Sequence, residues 1–558
     1  QVRPVLYALE PALPPPLVPR ARRLGVRERV LADGRVETPL GRAEVARVMA
    51  AVRRSRAEAV VVCLLHGYVR PDHERRLGRA LSGRGLHVTL AHRLLREYRE
   101  YERLSTCVVN AYVGPVMTRH VRALAAAVPG GLRVMQSSGG LIGAPAACAE
   151  AVRTVLSGPA AGVIGAADRA RRAGLARLVT FDMGGTSTDV SLVDGGIAYQ
   201  TETTIDGLPV RVPAIDIHTV GAGGGSLARL DGGGALHVGP ESAGADPGPA
   251  CYGRGHEPTV TDADLVLGRL VETELLGGEL RVEPARARAA LAPLARRLGR
   301  SVEEAALGVV RVAAAAMEHA VRVITVARGH DPRRFTLVAF GGAGPLHAAE
   351  LAASLGMPRV YVPRRPGLLS AWGALAAEVV RDYGRTVRVI SPSDALLRQA
   401  LRRLERAART DLRREGVARF VVEPALDVRY AGQGYELLVP YRRGWAAAFH
   451  REHVQRFGYA DTGRPLEVVT LRLRARGGGA RLPADPMPRR RRATAIATRA
   501  VVFARGPRRT PVYRRDDLAP GRRLDGPAIV CEYSATTLIP PLWRAIVDRH
   551  GGLLLMAR

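Results

Sequence analysis

The segment Leu178-Val179-Thr180-Phe181-Asp182-Met183-Gly184-Gly185-Thr186-Ser187-Thr188-Asp189-Val190-Ser191-Leu192-Val193 constrains this chain more than any other. An apolar strand ends on Asp182, breaks into two glycines and three hydroxyl residues, and a second apolar strand leaves after Asp189. Two glycines let the backbone turn tightly and bring its amides against a phosphate with no Cβ in the way. Thr186, Ser187 and Thr188 add hydroxyl donors for phosphate oxygens. Asp182, at the strand end, is placed to hold a magnesium ion through its water shell or to orient an attacking oxygen, with Asp189 beside it as a second catalytic carboxylate. A bare Gly-Gly would read as an ordinary hairpin turn, but the complete Asp-x-Gly-Gly-Thr-x-Thr-Asp constellation points to phosphate binding.

Two further glycine clusters fit the same chemistry. Gly341, Gly342 and Gly344 lie between the expected strand Thr336–Phe340 and a helix over 346–355, where orphan amides and the helix dipole favour an anionic nucleotide. Asp216 and His218 are two apart, so on a strand they share a face and are candidate metal ligands, or else polar residues hydrogen-bonded at a strand end. The run after them, including Gly223 and Gly224, costs backbone entropy unless something approaches the chain closely, and is expected to touch the cofactor. Glu241, Asp246, Asp262 and Asp264 are acids in loops, equally magnesium or substrate ligands and turn formers. Cys251 has no local base and is not read as a nucleophile. His347, in the first turn of a helix, is read as packing or capping.

Composition narrows the function classes. The 558 residues carry a net charge of +31, which first suggests nucleic acid. The cations are all arginine, scattered over the expected helices, and aromatic residues are only 4%, so stacking platforms are scarce and no nucleic-acid partner is expected. The densest basic run, Arg489 to Arg492 after Pro486 and Pro488, reads as a solvated linker. Five cysteines at 63, 107, 148, 251 and 531 form no Cys-x-x-Cys pair and read as reduced thiols. No apolar run reaches the ~20 residues needed to span a bilayer, and Gln1-Val2-Arg3-Pro4 is no signal core, so a cytoplasmic protein with no membrane partner is expected.

Helix and strand patterns alternate from Ala43 onward: helix over 43–55, a buried apolar run over 59–65, helix over 72–81, then a helix from Arg96 to Val128 broken near Gly114-Pro115. A second α/β region runs from Leu132 to about Arg381. Within it Ser301 and Glu304 form a capping-box signature ahead of a small-residue packing helix. Beyond Ser391-Pro392, an arginine-rich helix over 394–415 leads into alternating strands around Gly432-Gln433-Gly434, an antiparallel hairpin with one wet face.

Several segments resemble one known family: Tyr98-Arg99-Glu100-Tyr101-Glu102-Arg103, Val108-Val109-Asn110-Ala111-Tyr112-Val113-Gly114-Pro115, Met135-Gln136-Ser137-Ser138-Gly139-Gly140, Leu156-Ser157-Gly158-Pro159-Ala160-Ala161-Gly162 and Arg328-Gly329-His330-Asp331-Pro332. With the octet at Asp182, and with Gly526 to Val530 and Tyr533 to Thr537, they look like the hydantoinase A/5-oxoprolinase family. The octet itself resembles the second phosphate loop of the actin-like ATPase superfamily, and the Gly341 turn its adenosine motif. The resemblance implies an α/β fold of actin-like (ribonuclease H-like) lobes with a C-terminal α+β domain, divided as 1–130, 131–385 and 386–558. It implies ATP and magnesium, or another divalent metal, as cofactors. The implied activity is phosphorylation of the oxygen of a small cyclic amide before ring opening, with a hydantoinase B-type subunit as partner and an oligomeric assembly. Relatives that activate ketones make an acetone or acetophenone carboxylase subunit the alternative, and a non-catalytic nucleotide-binding remnant a third. Relative to the family pattern, Gln1-Val2-Arg3-Pro4 looks like a point already inside the first domain, so one phosphate loop is expected to be missing.

Overall fold

The computed structural model describes residues 16–83, 85–480, 482–483, 487 and 494–558, so the Gln1 to Pro4 start and the Arg489 to Arg492 run lie outside the described residues. Its architecture is mixed α/β, as the sequence suggests, and the chain forms two compact units. One comprises Gln1–Ser157, Gln200–Ala214 and Glu378–Gly479; the other comprises Gly158–Tyr199, Ile215–Ala377 and Ala480–Arg558. Each unit therefore draws on separate stretches of sequence.

In the first unit the buried run Ala59–Val62 pairs in parallel with His87–Leu90. Leu77 and Leu81 of helix Asp72–Leu81 and Val48 and Val52 of helix Arg42–Ser55 close a core over it. A six-stranded mixed sheet runs, in spatial order, Leu437–Pro440, Phe420–Tyr430, Leu466–Gly477, Val379–Ile390, Leu141–Gly143, Arg133–Met135. Its centre is polar: Arg472 bridges the carboxylates of Asp427 and Glu97, and Arg211 also lies 3.3 Å from Glu97. Burial pushes Glu97 up, but the two guanidiniums outweigh it and hold the carboxyl below its usual range. The expected hairpin around Gly432 is present, with Val428 opposite Leu437.

Helix Glu100–Ala127 runs unbroken through Pro115, contrary to the expected break. Pro115 has no amide to donate, which ordinarily kinks a helix. Here one face is fixed by the burial of Cys107, Val109, Ala111 and Val121. Gly114 meanwhile lies so close to the His87 ring that a Cβ would come within 2.3 Å of Nε2. Packing on both sides of the proline outweighs the lost hydrogen bond.

The second unit is built on an eight-stranded mixed sheet whose centre is parallel: Arg177–Met183 pairs with Thr336–Phe340, which pairs with Arg359–Val362. Thr188–Asp194 lies antiparallel on the outer side of Arg177–Met183, and Ile217–Val220 beyond it. Strand alternation sends Val179, Phe181 and Met183 into one core, shared with Val309, Ala313 and Met317 of helix Val302–Ile324. The expected capping box of that helix is formed, Ser301 Oγ accepting from Glu304 N and Glu304 accepting from Ser301 N. Leu178, and with it the face on which Asp182 lies, packs against Ala160, Val163 and Ala166 of helix Ser157–Arg172.

Helix Ser157–Arg172 is held against helix Leu369–Ala376 through glycines. A Cβ on Gly373 would sit 1.8 Å from the carbonyl oxygen of Ala161, and one on Gly165 2.4 Å from that of Leu369. Backbone cannot yield as a side chain does, so Gly373→Ala is expected to destabilise the protein by roughly 1–3 kcal/mol or more. A thermal unfolding midpoint within a degree of wild type would show that this crossing is not close-packed.

Candidate functional site: a carboxylate pair beneath a glycine turn

Pairing of Arg177–Met183 with Thr188–Asp194 sets Asp182 directly opposite Asp189, and the four residues between the two strands form the turn. The turn is closed by Gly184 N donating to Ser187 O at 3.1 Å. Gly185 and Thr186 are exposed, and a Cβ on Gly184 or Gly185 would meet nothing within 4 Å. Internal crowding therefore does not demand glycine here, whereas a ligand approaching the backbone closely would.

The inner side of the turn is backed by the second glycine run. Gly224 N donates to Gly184 O at 3.0 Å and Gly225 N to Gly185 O at 2.6 Å. A Cβ on Gly223 would lie 2.7 Å from Gly185 backbone atoms, and one on Gly224 2.8 Å from Thr261 Oγ1. This corrects the expectation that Gly223 and Gly224 touch the cofactor: the close approach they permit is to the turn itself, and they are buried. Thr188 is corrected likewise. It is fully buried and its hydroxyl donates to Ala222 O, leaving Thr186 and Ser187 as the hydroxyls near the mouth.

Asp182 is enclosed by two glycines from neighbouring elements. A Cβ on Gly341 (φ +81°) would fall 2.4 Å from Asp182 Oδ1, and one on Gly162 3.2 Å from Oδ2. Gly341 is thus needed for backbone conformation and for space, while Gly342 is exposed. Gly344 opens helix Gly344–Ser354 and packs near Phe181 O and Met183 N, and Ala343 N donates to Met183 O at 3.0 Å. The two turns expected to hold nucleotide are therefore hydrogen-bonded neighbours.

Burial and the charge of Asp189 push the Asp182 carboxyl up to about 7. Burial also raises Asp189, against a hydrogen bond from the Thr219 hydroxyl. Among the described residues no cationic side chain offsets either shift. A half-buried pair of carboxylates left to repel one another is a donor set that fits a divalent cation, whose charge would reverse both shifts.

Asp216 and His218 are brought near this site but not as a metal pair. Arg328 donates to both Asp216 carboxylate oxygens, and Ser191 Oγ to the Asp216 carbonyl at 2.8 Å. With its carboxylate held by a guanidinium, Asp216 orders the strand edge. His218 is left with a depressed basicity from burial, Arg328 and His319, partly opposed by Asp216. Among the described residues no group of three or more His, Cys, Asp and Glu is arranged to hold a metal ion. Of the downstream acids, Asp262 and Asp264 are structural, while Glu241 and Asp246 are exposed. Asp262 accepts from Ala250 N, Cys251 N, Thr259 N and the Thr259 hydroxyl, and Asp264 Oδ2 lies 3.1 Å from His347 Nε2 in the core. Burial, with Asp262 adding to it, raises the Cys251 thiol far above its ordinary value, which keeps it protonated and unreactive.

Three contributors escaped residue-level reading: Gly162, Thr219 and Arg328. Gly162 and Arg328 lie in segments the family resemblance singles out. Their tasks, making room for Asp182 and pairing Asp216, depend on partners 20 and 112 positions away.

The site is thus a strand-end carboxylate pair under an open glycine turn, with a second glycine turn beside it, in an α/β protein. The chain belongs to the hydantoinase/oxoprolinase family: its model matches residues 103–383, the N-terminal region model 1–85 and the C-terminal domain model 469–556. The chain is 35% identical to caprolactamase subunit alpha of Pseudomonas jessenii, over 95% of this chain and 81% of that one. The crystal structure of ATP-dependent caprolactamase from that organism superposes with a TM-score of 0.86 at 32% identity, covering 99% of this chain and 84% of the other. Identity to 5-oxoprolinase 1 of Arabidopsis thaliana is 33% over 88% of this chain, which spans only 42% of that longer protein. The acetophenone carboxylase gamma subunit of Aromatoleum aromaticum is 31% identical over 98% of this chain and 80% of its own length.

The raised Asp182 sets a pH dependence. Its carboxyl stays protonated in the folded chain up to about 7, whereas in the unfolded chain it ionises near its ordinary value of 3.8. The resulting stabilisation is complete below 3.8 and lost as pH rises through 7. In metal-free buffer the unfolding midpoint should therefore decline from about pH 4 to about pH 7 and level off above it, and Asp182→Asn should flatten that slope. An unchanged slope in the variant would place the titration elsewhere.

Proposed function

We propose that this chain is the phosphorylating subunit of an ATP-dependent cyclic-amide hydrolase, with ATP bound at the turns around Gly184-Gly185 and Gly341 to Gly344. The observation that carries this reading is the half-buried Asp182–Asp189 pair beneath a turn whose outer face is open. In the actin-like architecture that the octet resembles, this is where phosphates lie. The names of the caprolactamase and 5-oxoprolinase relatives support a lactam substrate.

Transfer breaks the bond between the γ-phosphorus of ATP and its bridging oxygen, releasing ADP, and forms one between phosphorus and the amide oxygen. The amide nitrogen gives up its proton, leaving the ring carbon as an imidate phosphate. Water then adds to that carbon, the C–N bond breaks with the nitrogen taking a proton, and a second water displaces inorganic phosphate to give the open-chain amino acid. Backbone amides of Gly185, Thr186 and Ser187 and the hydroxyls of Thr186 and Ser187 stabilise the phosphoryl oxygens, a task in which preorganised donors outweigh any covalent chemistry. Asp182 and Asp189 would hold magnesium, which when bound neutralises phosphate charge. Between them Asp182 is the better placed to orient the accepting oxygen, because Gly162 and Gly341 leave the room its two carboxylate oxygens occupy. The water-dependent ring opening is assigned to a B-type polypeptide corresponding to the part of 5-oxoprolinase that this chain does not span.

One observation favours a second reading. Similarity to the acetophenone carboxylase gamma subunit extends over nearly the whole chain, and phosphorylating a ketone enolate oxygen would use the same donors.

Two variants test the site in the assembled enzyme. Gly185→Val should weaken ATP binding by more than about tenfold while the fold persists. Asp182→Asn should keep affinity within about tenfold yet lose turnover by roughly a hundredfold or more. Calorimetry and steady-state ATP hydrolysis with caprolactam, 5-oxoproline and hydantoin measure both, and near-normal turnover in Asp182→Asn would move the role to Asp189. Lactam opening is expected only with the B-type polypeptide present, so robust opening by the isolated chain would contradict the division of labour. ATP turnover stimulated by a ketone only with bicarbonate would favour the second reading.

A further inference from the structure

Helix Glu100–Ala127 buries one face and leaves the other apolar and exposed. Tyr101, Leu104, Tyr112 and Val116 recur at helical spacing, with half-buried Val108 between them, and Tyr112 and Val116 are 68% and 61% exposed. From Tyr101 to Val116 this stripe runs about 22 Å at 1.5 Å per residue. A surface helix normally turns charged residues outward, so a continuous apolar stripe on the wet side marks a contact face.

The stripe begins beside a second apolar feature of the same unit. Arg99, which caps this helix in a left-handed conformation (φ 68°), donates to Gly434 O at 2.8 Å and to Glu436, and the Tyr98 hydroxyl also bonds to Glu436. These contacts pin the turn that carries Tyr435, which is 81% exposed. Next to it Gln433, Leu437, His453, Phe457 and Tyr459 line a cavity of about 150 Å³. An engineered protein cavity of that size takes up a benzene-sized group. His453 is locked in place, its Nδ1 2.7 Å from Tyr459 O and its ring centroid 4.7 Å from that of Phe457. In a chain with so few aromatic side chains, exposed tyrosines and a phenylalanine gathered round a rigid pocket have the make-up of an interface hot spot.

We propose that the stripe Tyr101–Leu104–Tyr112–Val116 and the Tyr435–Phe457–Tyr459 pocket form the docking surface for the second, B-type polypeptide, which inserts an aromatic or large aliphatic side chain into the pocket. This rests on the reading of the chain as one subunit of a hydrolase. The occupant follows from two facts. Relatives of which this chain spans about four-fifths are named as subunits, while 5-oxoprolinase 1 carries more than half of its length beyond what this chain spans. Charge supports the assignment: residues 432–464 hold five arginines against three carboxylates, one of which, Glu436, is already held by Arg99. The partner face should be acidic around its apolar anchor.

The test measures binding of the purified B-type subunit from the same source to the full chain by calorimetry, with chain-only ATP binding and unfolding midpoint as controls. The double variant Tyr112→Asp/Val116→Asp should weaken the complex by roughly a hundredfold and Tyr435→Asp by roughly tenfold. Val421→Asp, at an exposed position outside the stripe and pocket, should leave it within about twofold, and all variants should bind ATP like wild type. Folded stripe and pocket variants that bind the B-type subunit within twofold of wild type would overturn the proposal. So would a result in which they only split a dimer of this chain, or only abolish sedimentation with anionic phospholipid vesicles. If the complex forms and the variants break it but no lactam is turned over, the hydrolase reading fails and the docking surface stands.

Discussion

The site depends on one repulsion. Register between Arg177–Met183 and Thr188–Asp194 sets two carboxylates opposite one another, half-buried, with no cationic side chain among the described residues to relieve them. A folded chain tolerates such a pair only where a proton or a cation completes it. The surroundings keep the pair intact. Parallel pairing puts Phe340 beside Asp182 and so delivers Gly341 to one carboxylate oxygen, and the helix crossing at Gly165 and Gly373 holds Gly162 against the other. The unfavourable element is thus local, and the packing that sustains it extends across the sheet and its covering helix.

The turn above the pair is stiffened from within. Gly224 and Gly225 donate to the carbonyls of Gly184 and Gly185, and Thr188 is tied to Ala222. Only the outer faces of Gly184 and Gly185 remain open. Donors fixed before the reaction need not reorganise as charge develops on a phosphoryl group, which is the main service a protein offers to such a transfer. The same economy governs Asp216: its carboxylate, held by Arg328, orders the strand that carries Thr219 to Asp189.

Much of this was legible in the sequence because it is local. Strand periodicity placed Asp182 at a strand end, the Ser301–Glu304 box marked its helix, and the Gly341 turn announced a strand-to-helix junction. What was illegible is non-local. The glycines at 223 and 224 signalled a close approach correctly, but sequence could not say that the approaching group was the Gly184-Gly185 backbone. Asp216 falls in the break between Ala214–Ile215 and Ile217–Val220 rather than on one strand face with His218, and Arg328, 112 positions on, claims its carboxylate. Pro115 suggested a break that packing on both sides of the helix overrides. The exposed faces of Tyr112 and Tyr435 required a three-dimensional count of what is covered.

The account stands or falls on whether the Asp182–Asp189 pair is completed by a cation together with nucleotide. Electron paramagnetic resonance of manganese titrated into the protein with ATP measures this directly. The account expects one ion per chain whose binding requires both carboxylates, so that Asp182→Asn/Asp189→Asn leaves the manganese signal that of the ATP complex free in solution. Equal uptake by wild type and the folded double variant would contradict it.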